Sequence, residues 1–422
     1  MMHGRDFLRK ASIALSILIS YQIATVSAQG DNGWHANTMT IEKLSKERPG
    51  SNYYEEKVPG YTLPDIFTSN DGLKITSADL WNKLRRPEII ELFRKNVYGR
   101  VPETSYSEKF KVSYLDTQAL DGTATQKEVE ITIDVDGKSL AIHLIMFTPN
   151  DVKHPVPAFL LIDPWLDEKS SPGWKEKDGY WPIKEALKRG YGMAVFNSSD
   201  LDPDNFDNFK NGIHGLLDQK PRPDDAWGTL AAWAWGASRC MDYLVSDKDI
   251  APDKVAIAGH SRAGKTALWA GAEDTRFAMV VSNESGAGGA ALARRRFGET
   301  VAMLNSSFPH WFCSNYNKFS NNEDALPVDM HMLLSLIAPR ALYVDCADED
   351  LWGDPHGSYI SLYDAVPVYN LLGKNSDIPE SMPPLNKQVI SGMVGFQVRE
   401  GYHNLLLTDW KWFMDFADKV LK

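Results

Sequence analysis

A serine with small residues on either side lies near the middle of the chain, between an apolar strand and a helix. The stretch VAIAGHSRAG, residues 255–264, places Ser261 in a pattern of the G-x-S-x-G type, with Ala263 in the fifth position. In this context the pattern predicts a nucleophile elbow, a tight turn that exposes the serine hydroxyl at the carboxyl edge of a sheet. The positive end of the following helix then lies where an oxyanion develops. The motif favours an α/β fold with a nucleophilic serine.

The elements around this motif alternate between strands and helices. Residues 129–135 and 140–146 have a period of two and are joined by an Asp-Gly pair, which is typical of a β-hairpin. Further along, short buried strands such as 158–162 alternate with apolar helices such as 227–244. A hairpin followed by such alternation indicates a mostly parallel sheet covered by helices on both faces. We therefore predict the α/β-hydrolase fold, three layers in the order αβα, with insertions.

The N-terminal residues have the features of an export signal. Three basic residues precede an apolar run over residues 11–24, and the small residues VSA at 26–28 provide a cleavage pattern. The apolar run is too short to span a membrane stably. We predict a signal peptide over residues 1–28, cleavage after Ala28, and a periplasmic or extracellular protein with no membrane anchor after cleavage.

The remaining chain divides into two parts. Residues 29–75 are polar and rich in turn residues, so we expect an extended N-terminal segment that lies over the domain surface. Residues 76–422 are predicted to form one α/β-hydrolase domain, with an insertion at about 285–335. The chain has 422 residues, which suits a single large α/β domain of this kind.

Composition narrows the possible partners. The 45 Lys and Arg residues against 56 Asp and Glu residues give a net charge of -11, which argues against a broad nucleic-acid surface. The 13 Trp residues suit either a large core or carbohydrate contacts. The three cysteines form no C-x-x-C pattern and are expected to be small buried side chains. We expect a monomer that binds neither nucleic acid nor a membrane.

The serine needs a base, and in this fold the base follows the nucleophile in the chain. Four histidines follow Ser261: His310, His331, His356 and His403. His403 lies beyond the last predicted strand and just before the terminal helix, where a loop can fold back over the serine. His310 and His331 fall in the insertion and are expected to satisfy local polar groups. His403 is therefore the predicted base.

The acid that orients this base has candidates at two places in the chain. Asp348 and Asp350 follow the predicted strand 341–346, which is the usual position of the third triad member in this fold. Glu284 instead ends the strand that follows the nucleophile helix. Both loops emerge at the same sheet edge, so either carboxylate could hold the imidazole tautomer. Glu284 could alternatively cap the glycine-rich turn 285–289.

Four short motifs resemble those of the glucuronoyl esterases of carbohydrate esterase family 15. They are GHSRAGK at 259–265, NESGAGG at 283–289, LIAPR at 336–340 and DLW at 350–352. The similarity covers about residues 75–422 and is greatest to the bacterial branch. The resemblance implies an α/β-hydrolase that cleaves the ester between 4-O-methyl-glucuronic acid on xylan and lignin alcohols. It also implies serine chemistry that requires no cofactor and no metal.

The resemblance assigns roles to the catalytic candidates. It places the triad acid on Glu284, and Asp350 matches a second acid position of bacterial members that shares or supports this role. The family arginine after the nucleophile falls on Arg262, where a fixed guanidinium would stabilise the tetrahedral oxyanion. The expected catalytic set is thus Ser261, His403, Glu284 and Asp350, with Arg262 at the oxyanion.

The resemblance also implies three residues that contact the sugar. They are Lys265, one turn along the nucleophile helix, Glu299 in the insertion, and Trp352 after the DLW aspartate. The alternatives are a solvated helix lysine, a surface charge and a core tryptophan. Two rival functions are kept: an acetyl-xylan or other carbohydrate esterase with the same triad, and an inactive carbohydrate-binding relative. The basic residues Arg262 and Lys265 favour a uronate ester over a neutral acetyl sugar.

Overall fold

The computed structural model describes residues 33–153, 155–166 and 179–422, and its centre is a sheet of ten strands in this part of the chain. The strands are β1 Ser107–Ala119, β2 Ala124–Val135, β3 Lys138–Pro149, β4 Val156–Asp163, β5 Gly192–Asn197, β6 Ile250–His260, β7 Met279–Asn283, β8 Ala341–Ala347, β9 Val389–Ser391 and β10 Val394–Arg399. The helices are α1 Thr38–Glu47, α2 Ala78–Leu80, α3 Arg86–Asn96, α4 Ile183–Lys188, α5 Gly212–Leu217, α6 Thr229–Leu244, α7 Arg262–Glu273, α8 Val301–Ser307, α9 Met330–Ser335, α10 Pro355–Leu371 and α11 Leu407–Val420.

The sheet has a parallel centre with antiparallel edges. Its strand order is β1-β2-β3-β5-β4-β6-β7-β8-β10-β9. Strands β5, β4, β6, β7, β8 and β10 pair in parallel, whereas β1, β2 and β3 at one edge and β9 at the other pair antiparallel. The carboxyl ends of the parallel strands therefore meet at one edge, which is where binding sites form in open α/β sheets.

Helices cover both faces of the sheet, as predicted. Along β4, Leu160 and Ile162 pack in one apolar core, while Phe159 and Leu161 pack in the other. The first core receives side chains of α3, α6, α7, α9 and α10, and the second receives those of α4 and α11. A strand buried on both faces must be apolar at every position, which explains the continuous run from residue 158 to 162. The three-layer architecture is confirmed.

Two regions differ from the prediction in detail. The segment 29–75 is not extended throughout, because its residues 38–47 form α1, with the side chain of Asn37 accepting a hydrogen bond from the N–H of Met39 as an N-cap. The segment is also anchored, since Tyr53 is fully buried and packs edge-on against Phe297 at a ring-centroid distance of 6.2 Å. The predicted insertion, between β7 and β8, holds α8 and α9 and is largely buried.

The predicted signal peptide lies outside the described residues. Within them, none of the helices has the length and apolar character that crossing a membrane requires. All three cysteines, Cys240, Cys313 and Cys346, are unpaired and buried, as expected for small apolar side chains.

Candidate active site

Ser261 lies in a strained turn between β6 and α7. Its φ angle is +58°, a conformation that side chains other than glycine rarely adopt. Its N–H donates to the carbonyl of Asn283 at 2.9 Å, which joins the turn to the end of β7. A Cβ atom on Gly259 would clash with the carbonyl of Ala263. The turn thus has the backbone of the predicted nucleophile elbow.

This close approach predicts that Gly259→Ala destabilises the protein. The added methyl group meets backbone atoms of α7, which cannot move without shifting the elbow, so we expect a loss of about 2 kcal/mol or more in the free energy of unfolding. Urea unfolding of the Gly259→Ala variant and of the unaltered protein measures this difference in the free energy of unfolding. Gly50→Ala is the control, because nothing lies within 4 Å of the corresponding Cβ position. Equal stability of the Gly259 and Gly50 variants would show that the elbow accommodates a side chain.

Of the candidate acids, Asp350 and Glu284 contact the same nitrogen of the predicted base. The Nδ1 atom of His403 lies 2.8 Å from Oδ2 of Asp350 and 3.0 Å from Oε2 of Glu284. The imidazole is 41% exposed, whereas the carboxylates of Glu284 and Asp350 are 0% and 8% exposed. The rings of His403 and His260 lie 4.5 Å apart between centroids. Two buried carboxylates therefore converge on one accessible imidazole.

The carboxylate of Glu284 is held from two further directions. Its Oε1 accepts from Nη2 of Arg399 at 2.5 Å, and its Oε2 accepts from the N–H of Asn404 at 2.9 Å. The alternative role as cap of the glycine-rich turn is wrong, because the hydroxyl of Ser285 accepts from the N–H of Ala290 there, at 2.8 Å. Glu284 is attached instead to the loop that carries His403.

These contacts change the protonation of the site. Burial lowers the pKa of His403, but the hydrogen bonds and charges of Asp350 and Glu284 outweigh burial and raise that pKa to about 10. Burial, with the Asp350 charge, raises the pKa of Glu284 to about 7 against the opposing effects of His403 and Arg399. Burial and the charge of His403 lower the pKa of His260 to about 3, so His260 stays neutral. The two acidic neighbours therefore favour the protonated form of His403, and the neutral form that acts as a base is populated at higher pH.

A shift of the acid limb of activity follows for Asp350→Asn. A general base must be neutral, and an acidic neighbour favours the protonated imidazolium. Removing one negative charge lowers the pKa of His403, so the acid limb of kcat/KM moves to lower pH by roughly one pH unit. Rates of ester hydrolysis from the acidic through the alkaline range measure the shift, because the raised pKa of His403 extends the acid limb above neutral pH. The matched control is Asp348→Asn, since Asp348 lies on the same loop and its carboxylate accepts from the N–H of Gly401. An unmoved or raised acid limb in Asp350→Asn would contradict the prediction.

A cleft of about 400 Å³ brings all the predicted site residues together. Its wall contains the eight residues singled out from the sequence: Ser261, Arg262, Lys265, Glu284, Glu299, Asp350, Trp352 and His403. They come from the ends of β6, β7 and β8, from the insertion and from the loop before α11. The volume suits a small molecule or one end of a larger chain.

The polar residues of the wall hold one another in place. Nζ of Lys265 donates to the carbonyls of Ser285 and Ala287 at 2.7 and 2.6 Å and to Oε2 of Glu299 at 2.9 Å. Nε1 of Trp352 donates to Oε1 of the same glutamate at 3.2 Å. Lys265 is therefore a buried residue and not a solvated one, and Glu299 is buried and not a surface charge. The half-buried Trp352 is part of the cleft.

Several cleft residues were missed from the sequence. Arg48 comes from the end of α1, and its guanidinium lies 4.1 Å from the ring centroid of Trp352. Phe308 and Trp311 come from the insertion and stack on each other at 3.7 Å. The aromatic cluster at 308–312 could have indicated a sugar-facing surface, but no spacing rule connects residue 48 to the motifs.

One group of side chains has the donor set of a metal site. The ligand atoms of His260, Glu284 and His403 lie within 4.8 Å of one another. Two of these three side chains already have protein partners. Nδ1 of His260 lies 2.5 Å from Oδ1 of Asn283, and the carboxylate of Glu284 accepts a hydrogen bond from Arg399. These contacts suit an acid-base constellation better than a cation site. That the reaction needs no metal or cofactor stays a prediction.

Sequence comparisons identify related esterases. A family model described as "Glucuronyl esterase, fungi" matches residues 131–373. "Carbohydrate esterase MZ0003" from an unknown prokaryotic organism is 41% identical over 87% of this chain and 92% of its own length. The "4-O-methyl-glucuronoyl methylesterase" of Schizophyllum commune is 28% identical over 77% of each chain.

Solved structures agree with the sequence relatives. A promiscuous CE15 esterase from a marine bacterial metagenome has a TM-score of 0.79 and 42% identity, and the match covers 88% of this chain and 100% of that one. The glucuronoyl esterase from Solibacter usitatus has a TM-score of 0.81 and 37% identity, with 87% and 100% covered. Both matches span most of this chain and the whole of the related chain.

Proposed function

The chain belongs to the glucuronoyl esterase family, carbohydrate esterase family 15, and from this premise we propose a specific reaction for it. It is a carboxylic ester hydrolase that cleaves glucuronoyl esters. The substrate is the ester between 4-O-methyl-glucuronic acid side chains of xylan and lignin alcohols. The observation that carries the proposal is the composition of the cleft. It contains a serine on a strained elbow, a histidine in contact with two carboxylates, and the basic residues Arg262 and Lys265.

The geometry supports a two-step acyl transfer. His403 accepts the proton of the Ser261 hydroxyl as its oxygen forms a bond to the ester carbonyl carbon. The carbonyl oxygen becomes an oxyanion beside Arg262 and the first turn of α7, where the N–H groups of Arg262 and Ala263 precede the hydrogen bond from the N–H of Gly264 to the carbonyl of Ser261. The tetrahedral intermediate expels the alcohol, which takes its proton from His403. Water then repeats the sequence on the acyl-enzyme and releases free glucuronate and Ser261.

The other end of the cleft is suited to the sugar ring. Lys265, Glu299 and Trp352 form a hydrogen-bonded wall, so their polar atoms are held in fixed positions before substrate binds. Carboxylate and amine groups bind sugar hydroxyls, and an aromatic edge packs against the ring. We propose that this wall selects the glucuronoyl part, while the alcohol leaves through the open side near His403.

One assay separates the proposal from its rivals. Purified protein is given benzyl glucuronate with and without the 4-O-methyl group, and in parallel an acetylated xylan. Hydrolysis of the uronate esters at the higher kcat/KM supports the proposal. A second candidate, acetyl ester hydrolysis, is favoured by the promiscuity named for the marine metagenome relative, and a higher rate on the acetylated xylan would establish it. Lack of turnover on all three with retained sugar binding would indicate an inactive carbohydrate-binding relative.

Arg48 is proposed to strengthen sugar binding. Its guanidinium is exposed and stacked on Trp352, and among the described residues it has no acidic partner within 4.0 Å. Arg48→Ala should raise KM for a glucuronate ester by about three- to tenfold and leave kcat nearly unchanged, because the lost contact is remote from the reacting carbonyl. Initial rates measure both constants. Lys46→Ala is the control, since Lys46 is an exposed basic residue of α1 outside the cleft. An unchanged KM would contradict the assignment.

Export and partners complete the proposal. The leader pattern over residues 1–28 supports an exported protein, periplasmic or extracellular, where the polymeric substrate is found. The net charge of -11 argues against a nucleic-acid partner, and the proposed substrate partner is glucuronoxylan or a lignin-carbohydrate ester. We propose that the protein acts as a monomer that is not attached to a membrane after cleavage of the leader.

A further inference from the structure

The side chain of Arg262, the arginine beside the nucleophile, has one hydrogen-bond partner, Asp204, which we call its anchor. Nη1 of Arg262 donates to Oδ2 of Asp204, and this is its only side-chain hydrogen bond among the described residues. The guanidinium otherwise lies among aromatic rings, with its central carbon 4.8 Å from the ring centroid of Trp311 and 5.3 Å from those of Phe308 and Trp165. The rings limit sideways movement, but only Asp204 fixes the rotation of the planar group.

Asp204 is itself fixed. Its Oδ1 accepts from Nε2 of His310 at 3.0 Å and from Nε1 of Trp311 at 2.8 Å, so both carboxylate oxygens are used. The side chain is 14% exposed. Burial would raise its pKa, but the donors from His310, Trp311 and Arg262 outweigh burial and hold that pKa at about 2. The anchor therefore stays negative wherever the enzyme works.

We infer that Asp204 is a positioning residue that holds the Arg262 guanidinium in register with the developing oxyanion. This rests on the proposed role of Arg262 in ester hydrolysis. A long flexible side chain stabilises a transition state only when it is already oriented, and a displacement of about 1 Å at a reacting centre costs about a hundredfold in rate. No sequence motif joins Asp204 to the nucleophile, since 58 positions separate the two residues.

The anchor also sets the direction of the expected effect. A carboxylate beside a cation partly neutralises it, so removing Asp204 has two opposite consequences: a stronger field from Arg262 and a looser guanidinium. The planar guanidinium holds its five N–H donors in fixed directions, so its contribution to oxyanion stabilisation depends on its orientation. We therefore expect the loss of orientation to outweigh the stronger field. Asp204→Asn should lower kcat by about 10- to 100-fold and change KM by less than about threefold.

The test is a double-mutant cycle of Asp204→Asn with Arg262→Ala. In the Arg262→Ala background, Asp204→Asn should change kcat by less than about threefold, because no guanidinium remains to be oriented. Asp207→Asn is the control, since Asp207 lies on the same loop and contacts Lys210 and Asn211 rather than Arg262. Thermal unfolding of each variant checks that the loop still folds.

The cycle is run on benzyl glucuronate and on an aryl acetate. Both reactions form an oxyanion at the same place, so the aryl acetate alone can decide the role of Asp204. Failure to turn over the glucuronate ester would overturn only the proposed function. Equal losses from Asp204→Asn in both backgrounds would show a structural role and overturn the inference. So would a rise in kcat, or an Arg262→Ala variant that keeps full activity.

Discussion

Ser261→Ala should reduce kcat on a glucuronate ester by roughly ten-thousand-fold or more while the fold and sugar binding stay nearly intact. Without the hydroxyl the acyl-enzyme cannot form, and the residual rate comes only from binding and oxyanion stabilisation. Alanine has no larger side chain than serine, so the turn at φ +58° is not crowded further. Initial rates give kcat, calorimetry gives the affinity for free glucuronate, and thermal unfolding gives the stability.

A second serine of the cleft provides the matched control. Ser307 lines the same cleft but lies at the end of α8, away from the elbow. Ser307→Ala should retain most of the activity. His403→Ala should behave as Ser261→Ala does, since the serine then lacks its base. Activity near that of the unaltered enzyme in Ser261→Ala would remove Ser261 as the nucleophile.

Local patterns predicted the elements that carry the chemistry. The elbow could be identified because a strand, a small-residue turn and a helix follow one another within a few residues, and the β2–β3 hairpin because its period of two is interrupted by an Asp-Gly turn. Each signal depends on neighbours in the chain. The positions of Ser261 and His403 at one sheet edge followed from the topology that these elements imply.

Elements without such a pattern were missed. Strand β1 is an edge strand with exposed apolar side chains at Phe110, Val112 and Leu115, so it shows no buried face. Strand β10 is buried at every position yet contains Gly395 and Gln397, which obscure the apolar run. Helix α10 carries apolar residues around its whole circumference and a proline at position 367. In each case packing in the folded chain overrides the local preference.

The missed site residues reach the cleft through contacts between distant parts of the chain. Arg48 arrives because the N-terminal segment is pinned by the buried ring of Tyr53 and by a hydrogen bond from the N–H of Gly298 to the carbonyl of Asn52, at 2.8 Å. Asp204 lies on the loop after β5 and contacts the cleft residues Arg262 and Trp311 from behind the cleft wall. Neither position is related to the nucleophile by a periodicity, so a sequence pattern has no means of pairing them.

The two acids around His403 give the other large expected effect. Glu284→Ala should lower kcat by about a hundredfold or more with little change in KM, because an oriented base matters most in the transition state. Asp350→Ala should cost less. The shorter contact of Nδ1 is to Asp350, at 2.8 Å, but Glu284 is the acid that is held more firmly. Glu284 is fixed by Arg399 and by the N–H of Asn404, whereas the only hydrogen bond to the Asp350 carboxylate among the described residues is that of His403.

The measurement is a double-mutant cycle on kcat with one glucuronate ester. The double variant should fall well below either single variant, because the remaining carboxylate in each single variant still lies within hydrogen-bond distance of Nδ1. Glu284→Ala also leaves Arg399 without one of its buried partners, although Arg399 keeps Asp409 at 2.9 Å. Glu284→Gln, which fills the same space, and thermal unfolding of both variants separate lost catalysis from lost stability.

The ranking of the single variants decides the triad. If Asp350→Ala is the more damaging change, the working set is Ser261, His403 and Asp350, and Glu284 serves to hold the loop of Arg399 in place. If Glu284→Gln loses activity at unchanged stability, the carboxylate itself is required. A neutral amide at this position fills the same space but cannot stabilise the imidazolium that forms as Ser261 attacks, and its NH2 group cannot accept the hydrogen bonds that a carboxylate oxygen accepts. We therefore expect Glu284→Gln to be stable, able to bind the sugar, and slow.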